Sequence, residues 1–159
     1  MKNRYGIQKI ISGGQTGADR GGLDAAIELG IAHGGWCPLG RIAEDGHIPP
    51  GYKLKEHPSS DYPPRTALNV HDADATLIFK RGETGRGSRL TISLAQSQKK
   101  PYLVLDIDEC LAEGYGLALG KFLLKEKPRV INVVGSRESH APGIQHSVCR
   151  ILVAVLGGA

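Results

Sequence analysis

Apolar and polar positions follow two regular patterns along the chain, and together they predict an α/β fold. Short apolar or β-branched runs, such as those at 9–12 and 75–79, have the length and composition of buried strands. Between them, apolar residues recur every three or four positions, as in helices that cover a sheet. The alternation continues from one end to the other, so we expect one domain over residues 1–159 with a largely parallel sheet.

The same patterns give the individual elements. The expected strands are 9–12, 33–37, 75–79, 102–105 and 129–134. The helices are expected after the first strand (Leu23, Ala26, Ile27 and Gly30 on one face), from about Pro64, at 88–100, around Leu111, Tyr115, Ala118 and Phe122, and from about Pro142 (Ile144, Val148, Ile151, Leu152 and Val155 on one stripe). Thr16 and Asp19 can cap the first helix, and Asp108 the fourth.

Three strand-to-helix connections are rich in glycine and polar residues. They are "SGGQTGADRGG" at 12–22, "KRGETGRGS" at 80–88 and "GSRESHAPG" at 135–143, which we call L1, L2 and L3. In open α/β sheets, ligands bind in the crevice outside the carboxyl ends of the strands. We therefore expect a ligand site where these loops meet.

The composition of L1 suits a negatively charged ligand. Glycines let backbone N–H groups approach an anion, and a helix amino terminus adds unpaired donors. We expect Gly14, Thr16 and Gly17 to offer such donors and Arg20 to add a forked positive charge. The spacing matches neither GxGxxG nor GxxxxGK[ST]. A tight turn that needs these glycines only for packing is an equally good interpretation.

L2 and L3 supply further candidates. In L2, Arg86 offers charge, and Thr84 and Ser88 offer hydroxyl groups at a helix start. L3, with Ser136 and Glu138, either lines the same edge or only leads into the last helix. The candidate after another strand is Asp106, as a contact to a ribose or a metal.

Charge and composition limit the class of partner. Twenty Lys and Arg against sixteen Asp and Glu give a net charge of +4, and the basic residues are scattered. Aromatic residues make up only 5% of the chain, so we expect no nucleic-acid partner. Three separated cysteines show no zinc-site spacing, and no apolar run is long enough for a membrane span. We expect a cytoplasmic protein without protein-ligated zinc that self-associates in an unspecified number of copies.

Two other functions are compatible with the sequence. The segment 36–49 brings together Arg41, Glu44, Asp45 and His47, from which acid–base chemistry can be built. A nucleotide-metabolising hydrolase that cleaves an N-glycosidic or phosphoester bond would use Glu44, Asp45 or Glu138. A structural subunit whose glycine loops serve packing is the third interpretation.

Several long segments also resemble one family. "SGGQTGADRGGLDAA", "GGWCPLGRIAEDGHIPPGYKLKE", "RTALNVHDADATLIF" and "NVVGSRESHAPGI" are similar, in this order, to molybdenum carrier proteins, relatives of the Rossmann-like LOG or lysine-decarboxylase-like proteins. The resemblance implies a three-layer, Rossmann-like fold and a site for a phosphate-bearing pterin whose dithiolene binds the metal, that is, the molybdenum cofactor (molybdopterin). A nucleotide is the alternative ligand.

The resemblance also implies an anion site. It would consist of Gly13, Gly14, Thr16 and Gly17 from L1 and of Gly82, Thr84, Gly85, Gly87 and Ser88 from L2. With their polar neighbours, the candidate set for cofactor binding adds Gln15, Asp19, Arg20, Arg86, Asp106, Ser136 and Glu138. Related phosphoribohydrolases carry PGGxGTxxE, whereas this chain reads "ETGRGSRLTIS" and lacks the paired glycines, the threonine and the downstream glutamate. The resemblance therefore implies phosphate binding without that catalytic motif.

Overall fold

The computed structural model describes residues 3–107 and 112–158, which form nine strands and five helices in these ranges. The strands are β1 (Lys9–Ile11), β2 (Ala32–Gly34), β3 (Trp36–Cys37), β4 (Ile42–Ala43), β5 (Gly46–His47), β6 (Lys55–Glu56), β7 (Ala75–Lys80), β8 (Tyr102–Asp106) and β9 (Val130–Gly135). The helices are α1 (Ala18–Leu29), α2 (Tyr62–Asp72), α3 (Arg86–Ser97), α4 (Ala112–Glu126) and α5 (Ile144–Gly157).

Five strands form the central sheet, in the order β2-β1-β9-β7-β8, and all the pairs are parallel. From β1, the chain passes through α1 to β2, which lies at one edge of the sheet. From β7, it passes through α3 to β8, which lies at the opposite edge. Because such crossovers are right-handed, α1 and α3 cover opposite faces. The fold is thus the expected three-layer, Rossmann-like α/β arrangement, with α1, α4 and α5 on one face and α2 and α3 on the other.

The main apolar core lies between the sheet and the α1, α4 and α5 layer. Alternate strand residues such as Leu77, Phe79, Ile131 and Val133 are buried there against the inner faces of the helices. The opposite face of the sheet is more polar at its centre, where the Asn132 amide donates to the Thr76 hydroxyl (3.3 Å). No helix in the described ranges has the length and apolar character needed to cross a membrane.

The structure corrects the prediction of one strand at 33–37. β2 pairs with β1, but β1 ends at Ile11, and the chain turns at Gly35. Beyond this turn, β3 pairs with β6, and the Trp36 N–H donates to the Asn69 side chain of α2 (2.8 Å). The predicted strand therefore divides between two sheets. The polar segment that follows contains the β4–β5 hairpin, which we call the hairpin (residues 42–47).

Helix boundaries and faces also differ in detail from the prediction. α3 spans Arg86–Ser97, two residues earlier than the predicted start at 88. Ile27 was expected on the inner face of α1 but is 51% exposed. The N-cap of α1 is Gly17, without a side-chain capping bond, so the capping role predicted for Thr16 and Asp19 is wrong. The predictions for Asp108 and Leu111 lie outside the described residues.

Candidate ligand-binding cleft

A cleft of about 820 Å³ opens at the carboxyl ends of β1, β9 and β7. These three strands are neighbours, so L1, L3 and L2 follow one another along this edge of the sheet. The first turns of α2 and α3 close the cleft from the other side. The helices change face across these strands, and this switch point is where open α/β sheets bind ligands. The structure thus brings the three predicted loops to one site.

The amino terminus of α3 opens into this cleft. Its N-cap, Gly85, extends no side chain to the helix, and no side-chain capping bond is present. The first-turn N–H groups of Arg86, Gly87 and Ser88 therefore have no acceptor within the helix. Ser88 is 6% exposed, and its hydroxyl makes no hydrogen bond to a described residue. These groups form a ready site for an anion.

Positive charge surrounds the cleft. Five of its described lining residues are arginines, and two are carboxylates; they are Arg65, Arg81, Arg86, Arg89 and Arg137, and Asp19 and Glu83. Arg86 and Arg89 are exposed and form no ion pair with the part of the chain that is described. The cleft therefore favours a negatively charged ligand.

Two further polar side chains at the cleft are almost completely buried, and each has one nitrogen atom without a hydrogen-bond partner. Arg65, in the first turn of α2, has a side chain that is only 9% exposed, and its Nε atom has no hydrogen-bond partner. Gln15 of L1 is 7% exposed, and its amide Nε2 atom is also without a partner. Unpaired buried donors of this kind are rare in folded proteins.

Asp19 lines the cleft beside these two side chains. Burial raises the pKa of its carboxyl group, although the Arg65 guanidinium and the backbone hydrogen bond from Gln15 act in the opposite direction. The distance from Asp19 Oδ2 to Arg65 Nη1 is 3.9 Å, which is an ion pair but too long for a hydrogen bond. The carboxylate instead accepts the Gln15 N–H (3.2 Å).

Two backbone donors of L1 are used within the loop itself. The Gly14 N–H donates to the Ser12 hydroxyl (3.3 Å), and the Thr16 N–H donates to Gln15 Oε1 (3.1 Å). The expectation of free N–H groups at Gly14 and Thr16 is therefore wrong. The glycines allow close packing instead: a Cβ at Gly13 would overlap the Arg65 guanidinium, and one at Gly17 would overlap the Ser136 carbonyl oxygen.

The hairpin holds the polar side chains of L1. Arg20 makes two hydrogen bonds to Asp45, at 2.6 and 2.9 Å, and a third to the Gly14 carbonyl (3.0 Å). The hydrogen bonds from Arg20 lower the pKa of Asp45. Glu44 accepts from the hydroxyls of Thr16 and Ser139. Partial burial raises its pKa, but these hydrogen bonds outweigh burial and lower it overall. Thr16 and Arg20 are therefore engaged with the hairpin and do not line the cleft.

L3 divides between the two roles that the sequence left open. Ser136 lines the cleft and accepts the Arg81 N–H (3.2 Å), and Arg137 and His140 lie beside it. Glu138 instead faces α5, where its carboxylate accepts the N–H groups of Gly143 (2.5 Å) and Gln145 (3.1 Å). The three carboxylates proposed for hydrolysis, Glu44, Asp45 and Glu138, are thus held in structural contacts away from the cleft lining.

The candidate set falls into two halves. The cleft is lined by Gln15, Asp19, Thr84, Gly85, Arg86, Gly87, Ser88 and Ser136. The residues outside its lining are Gly13, Gly14, Thr16, Gly17, Arg20, Gly82, Asp106 and Glu138. Asp106 pairs with Lys80 (3.0 Å), and Lys80 also donates to the Gly82 carbonyl (2.7 Å). Within the described ranges, no group of three His, Cys, Asp or Glu side chains is arranged to hold a metal ion.

Sequence reasoning missed the contribution of α2. Tyr62, Arg65 and Thr66 line the cleft, and the Tyr62 ring lies 5.3 Å from the Arg65 guanidinium and 5.5 Å from that of Arg137. A signal was present in "RTALNV": the inward face of this helix carries Arg65, Thr66 and Asn69, polar residues at buried positions. Buried polar residues on one helix face indicate a polar neighbour or a ligand.

The fold and the cleft define a Rossmann-like α/β protein with a cationic pocket at the switch point of a parallel sheet. Residues 10–156 match the family model of the circularly permutated YpsA SLOG family, and the chain belongs to this family.

The chain is also similar to a solved structure. It is that of a "putative molybdenum carrier protein" from Syntrophus aciditrophicus SB, which is 43% identical, with 94% of each chain covered and a TM-score of 0.90. A comparison with curated proteins gives no match.

Proposed function

We propose that this protein binds a small phosphate-bearing molecule, a nucleotide or a pterin, in the cleft. The observation that carries the proposal is the uncapped amino terminus of α3, which opens into a pocket lined by arginines. Helix amino termini combine free N–H donors with a favourable dipole, and both stabilise a bound phosphate.

Three kinds of donor would hold the phosphate. The first-turn N–H groups of Gly87 and Ser88 would reach its oxygens directly, because Gly87 has no side chain to block the approach. The Ser88 hydroxyl would add a further donor. Arg86 would supply charge and a forked pair of N–H groups at the open side of the cleft.

The molybdenum cofactor is the cargo that we propose within this class. The name of the Syntrophus protein suggests it, and two features of the cleft fit it. The volume of about 820 Å³ lies within the range of pockets that enclose small ligands, and the donors suit the phosphate of the pterin. The dithiolene of such a cofactor holds the metal, so the protein would enclose the cargo rather than transform it.

Ligand identification and mutagenesis test this proposal together. Native mass spectrometry of freshly purified protein, with elemental analysis for molybdenum and tungsten, would identify a retained ligand. Calorimetry with AMP, GMP and inorganic phosphate would then compare wild type with Arg86→Met and Ser88→Ala. We expect about 10-fold weaker binding in each variant, because hydrogen bonds to a charged group contribute about 1.5–3 kcal/mol. Arg129→Met removes an exposed arginine elsewhere and should have no effect.

Two results would overturn the proposal. One is an unchanged affinity for every phosphate-bearing probe in the Arg86→Met/Ser88→Ala double variant. The other is steady product release from a panel of nucleoside monophosphates that is lost in Glu44→Gln, since this would indicate a hydrolase.

A further inference from the structure

Arg65 is a buried charge without the hydrogen bonds that normally accompany one. Its guanidinium makes no hydrogen bond to a described residue, and its contacts are the ion pair with Asp19 at 3.9 Å and the Tyr62 ring at 5.3 Å. Burying a charged group is costly unless it is both paired and hydrogen-bonded. Arg65 offers five N–H donors, so most of its binding capacity is unused.

Asp19 does not supply the hydrogen bonds that the Arg65 guanidinium lacks. Its Oδ2 atom, which lies 3.9 Å from Arg65 Nη1, accepts the Gln15 N–H (3.2 Å). The same carboxylate oxygen is thus within hydrogen-bond distance of the L1 backbone but too far from the guanidinium for a hydrogen bond. The site has room for Arg65 because Gly13 lacks the Cβ that would overlap it. The guanidinium can therefore pack against the L1 backbone at the cleft, where its Nε atom is left without a hydrogen-bond partner.

The Gln15 amide is fixed in a matching orientation. Its Oε1 atom accepts two backbone N–H groups, from Thr16 (3.1 Å) and from Glu44 (2.9 Å). Turning the amide over would place its NH₂ group against these two donors, so only the observed orientation satisfies them. The Nε2 atom is therefore held on the other side of the amide, buried and without a hydrogen-bond partner.

We propose that Arg65 and Gln15 form a second anion subsite at the buried end of the cleft, and that the ligand carries two separated anionic groups. This inference rests on the proposed function, in which the phosphate binds at the exposed amino terminus of α3. The ligand class is a small molecule with a phosphate at one end and a second anion at the other. A bisphosphorylated nucleotide and a phosphorylated pterin dithiolene both have this chemistry.

Small tetrahedral anions test the two subsites without assuming how far apart they are. Crystals soaked in tungstate should show two anomalous peaks, one at the α3 amino terminus and one between Arg65 and Gln15. Calorimetry should find two inorganic phosphate ions per chain. In Arg65→Met, the inner peak should disappear and inner-site affinity should fall by about 10-fold or more, while the outer site is retained.

Further variants separate the loss of the inner site from the effect of leaving the Asp19 charge without its partner. Arg65→Met leaves Asp19 unpaired, so Arg65→Met/Asp19→Asn removes both charges and should also lose only the inner site. Arg65→Lys keeps the charge without the fork and should bind at an intermediate affinity. Arg129→Met should keep both sites. Binding of one phosphate in wild type, or an inner peak that survives in the double variant, would overturn the inference.

The outcomes separate this inference from the proposed function. If the outer site is present and depends on Arg86 and Ser88 but no inner site exists, only the second subsite is wrong. If no anion binds at α3, the proposed function fails as well. The mass of a co-purified ligand then distinguishes a bisphosphorylated nucleotide from a phosphorylated pterin dithiolene.

Discussion

Glycines of similar backbone geometry have different roles in this protein. Gly17 and Gly82 both have positive φ angles, of 82° and 71°. A Cβ at Gly82 would meet no atom within 4 Å, whereas one at Gly17 would overlap backbone atoms of L3 at Ser136 and Glu138. Gly17 therefore allows L1 and L3 to pack directly against each other, and Gly82 only allows a turn.

This difference predicts unequal costs of the same substitution. Gly82→Ala should lower the free energy of unfolding by about 1–2 kcal/mol, the cost of a left-handed non-glycine residue. Gly17→Ala should cost about 3 kcal/mol or more, because the clash with L3 adds to that strain. Urea unfolding of both variants measures this directly. Equal costs would show that L1 and L3 are not rigidly packed.

The residues of the site differ in how well the sequence reveals them. Ser88 and Arg86 were recognisable because they follow a strand and a glycine-rich turn, where a helix begins. Arg65 was not, because a charged residue in a helix is normally solvated and its burial depends on Gly13, 52 positions away in the sequence. The free donors expected at Gly14 and Thr16 were wrong because hydrogen bonds within the loop cannot be inferred from composition.

At the scale of elements, the side chains of the hairpin are hydrogen-bonded to both L1 and L3. Asp45 holds Arg20 of L1, and Glu44 holds Thr16 of L1 together with Ser139 of L3. The long polar segment therefore connects L1 with L3, although its sequence shows neither helical nor strand periodicity. Two-residue strands such as β4 and β5 are too short to show either, whereas the buried six-residue strands β7 and β9 were predicted within one residue at each end.

The ion pair between Asp45 of the hairpin and Arg20 of L1 predicts a pH-dependent contribution to stability. Asp45→Asn should lower the free energy of unfolding by about 1 kcal/mol at pH 7, a modest value because the Asp45 side chain is 47% exposed. The pKa of Asp45 is lowered in the folded protein, so this stabilisation is fully present above the unfolded pKa of about 3.9. It should disappear as the pH falls through the folded pKa.

Urea unfolding between neutral and acidic pH measures the difference between wild type and Asp45→Asn. Asp61→Asn provides a control, because Asp61 is exposed and makes no capping bond. A difference that persists in strong acid would show that the substitution acts through packing rather than through the charge.

At the scale of the whole molecule, the positive charge is modest in total but locally concentrated. The chain carries +4 overall, and five arginines line one cleft. Local concentration of charge attracts small anions, in keeping with the proposed ligand, and the absence of a nucleic-acid partner stays a prediction. Self-association, which we expect from the fold class, stays a prediction.

This arrangement predicts salt-sensitive binding of phosphate-bearing ligands. Affinity should fall by about 10-fold between 0.01 and 0.3 M salt, because the Debye length decreases from about 30 Å to less than 10 Å. Calorimetry with AMP at several salt concentrations measures the slope. Arg89→Met should flatten it, because Arg89 is exposed at the cleft, and Arg129→Met should not. A slope that is unaffected by Arg89→Met would place the binding site elsewhere.

The strand order has a consequence for folding during synthesis. β9 follows the other four strands of the central sheet in chain order, yet it lies at the centre of that sheet, between β1 and β7. Until it is inserted, L1 and L2 have no common neighbour, and L3 does not exist. A nascent polypeptide that ends before β9 therefore lacks one wall of the cleft, and we expect ligand binding to require this strand.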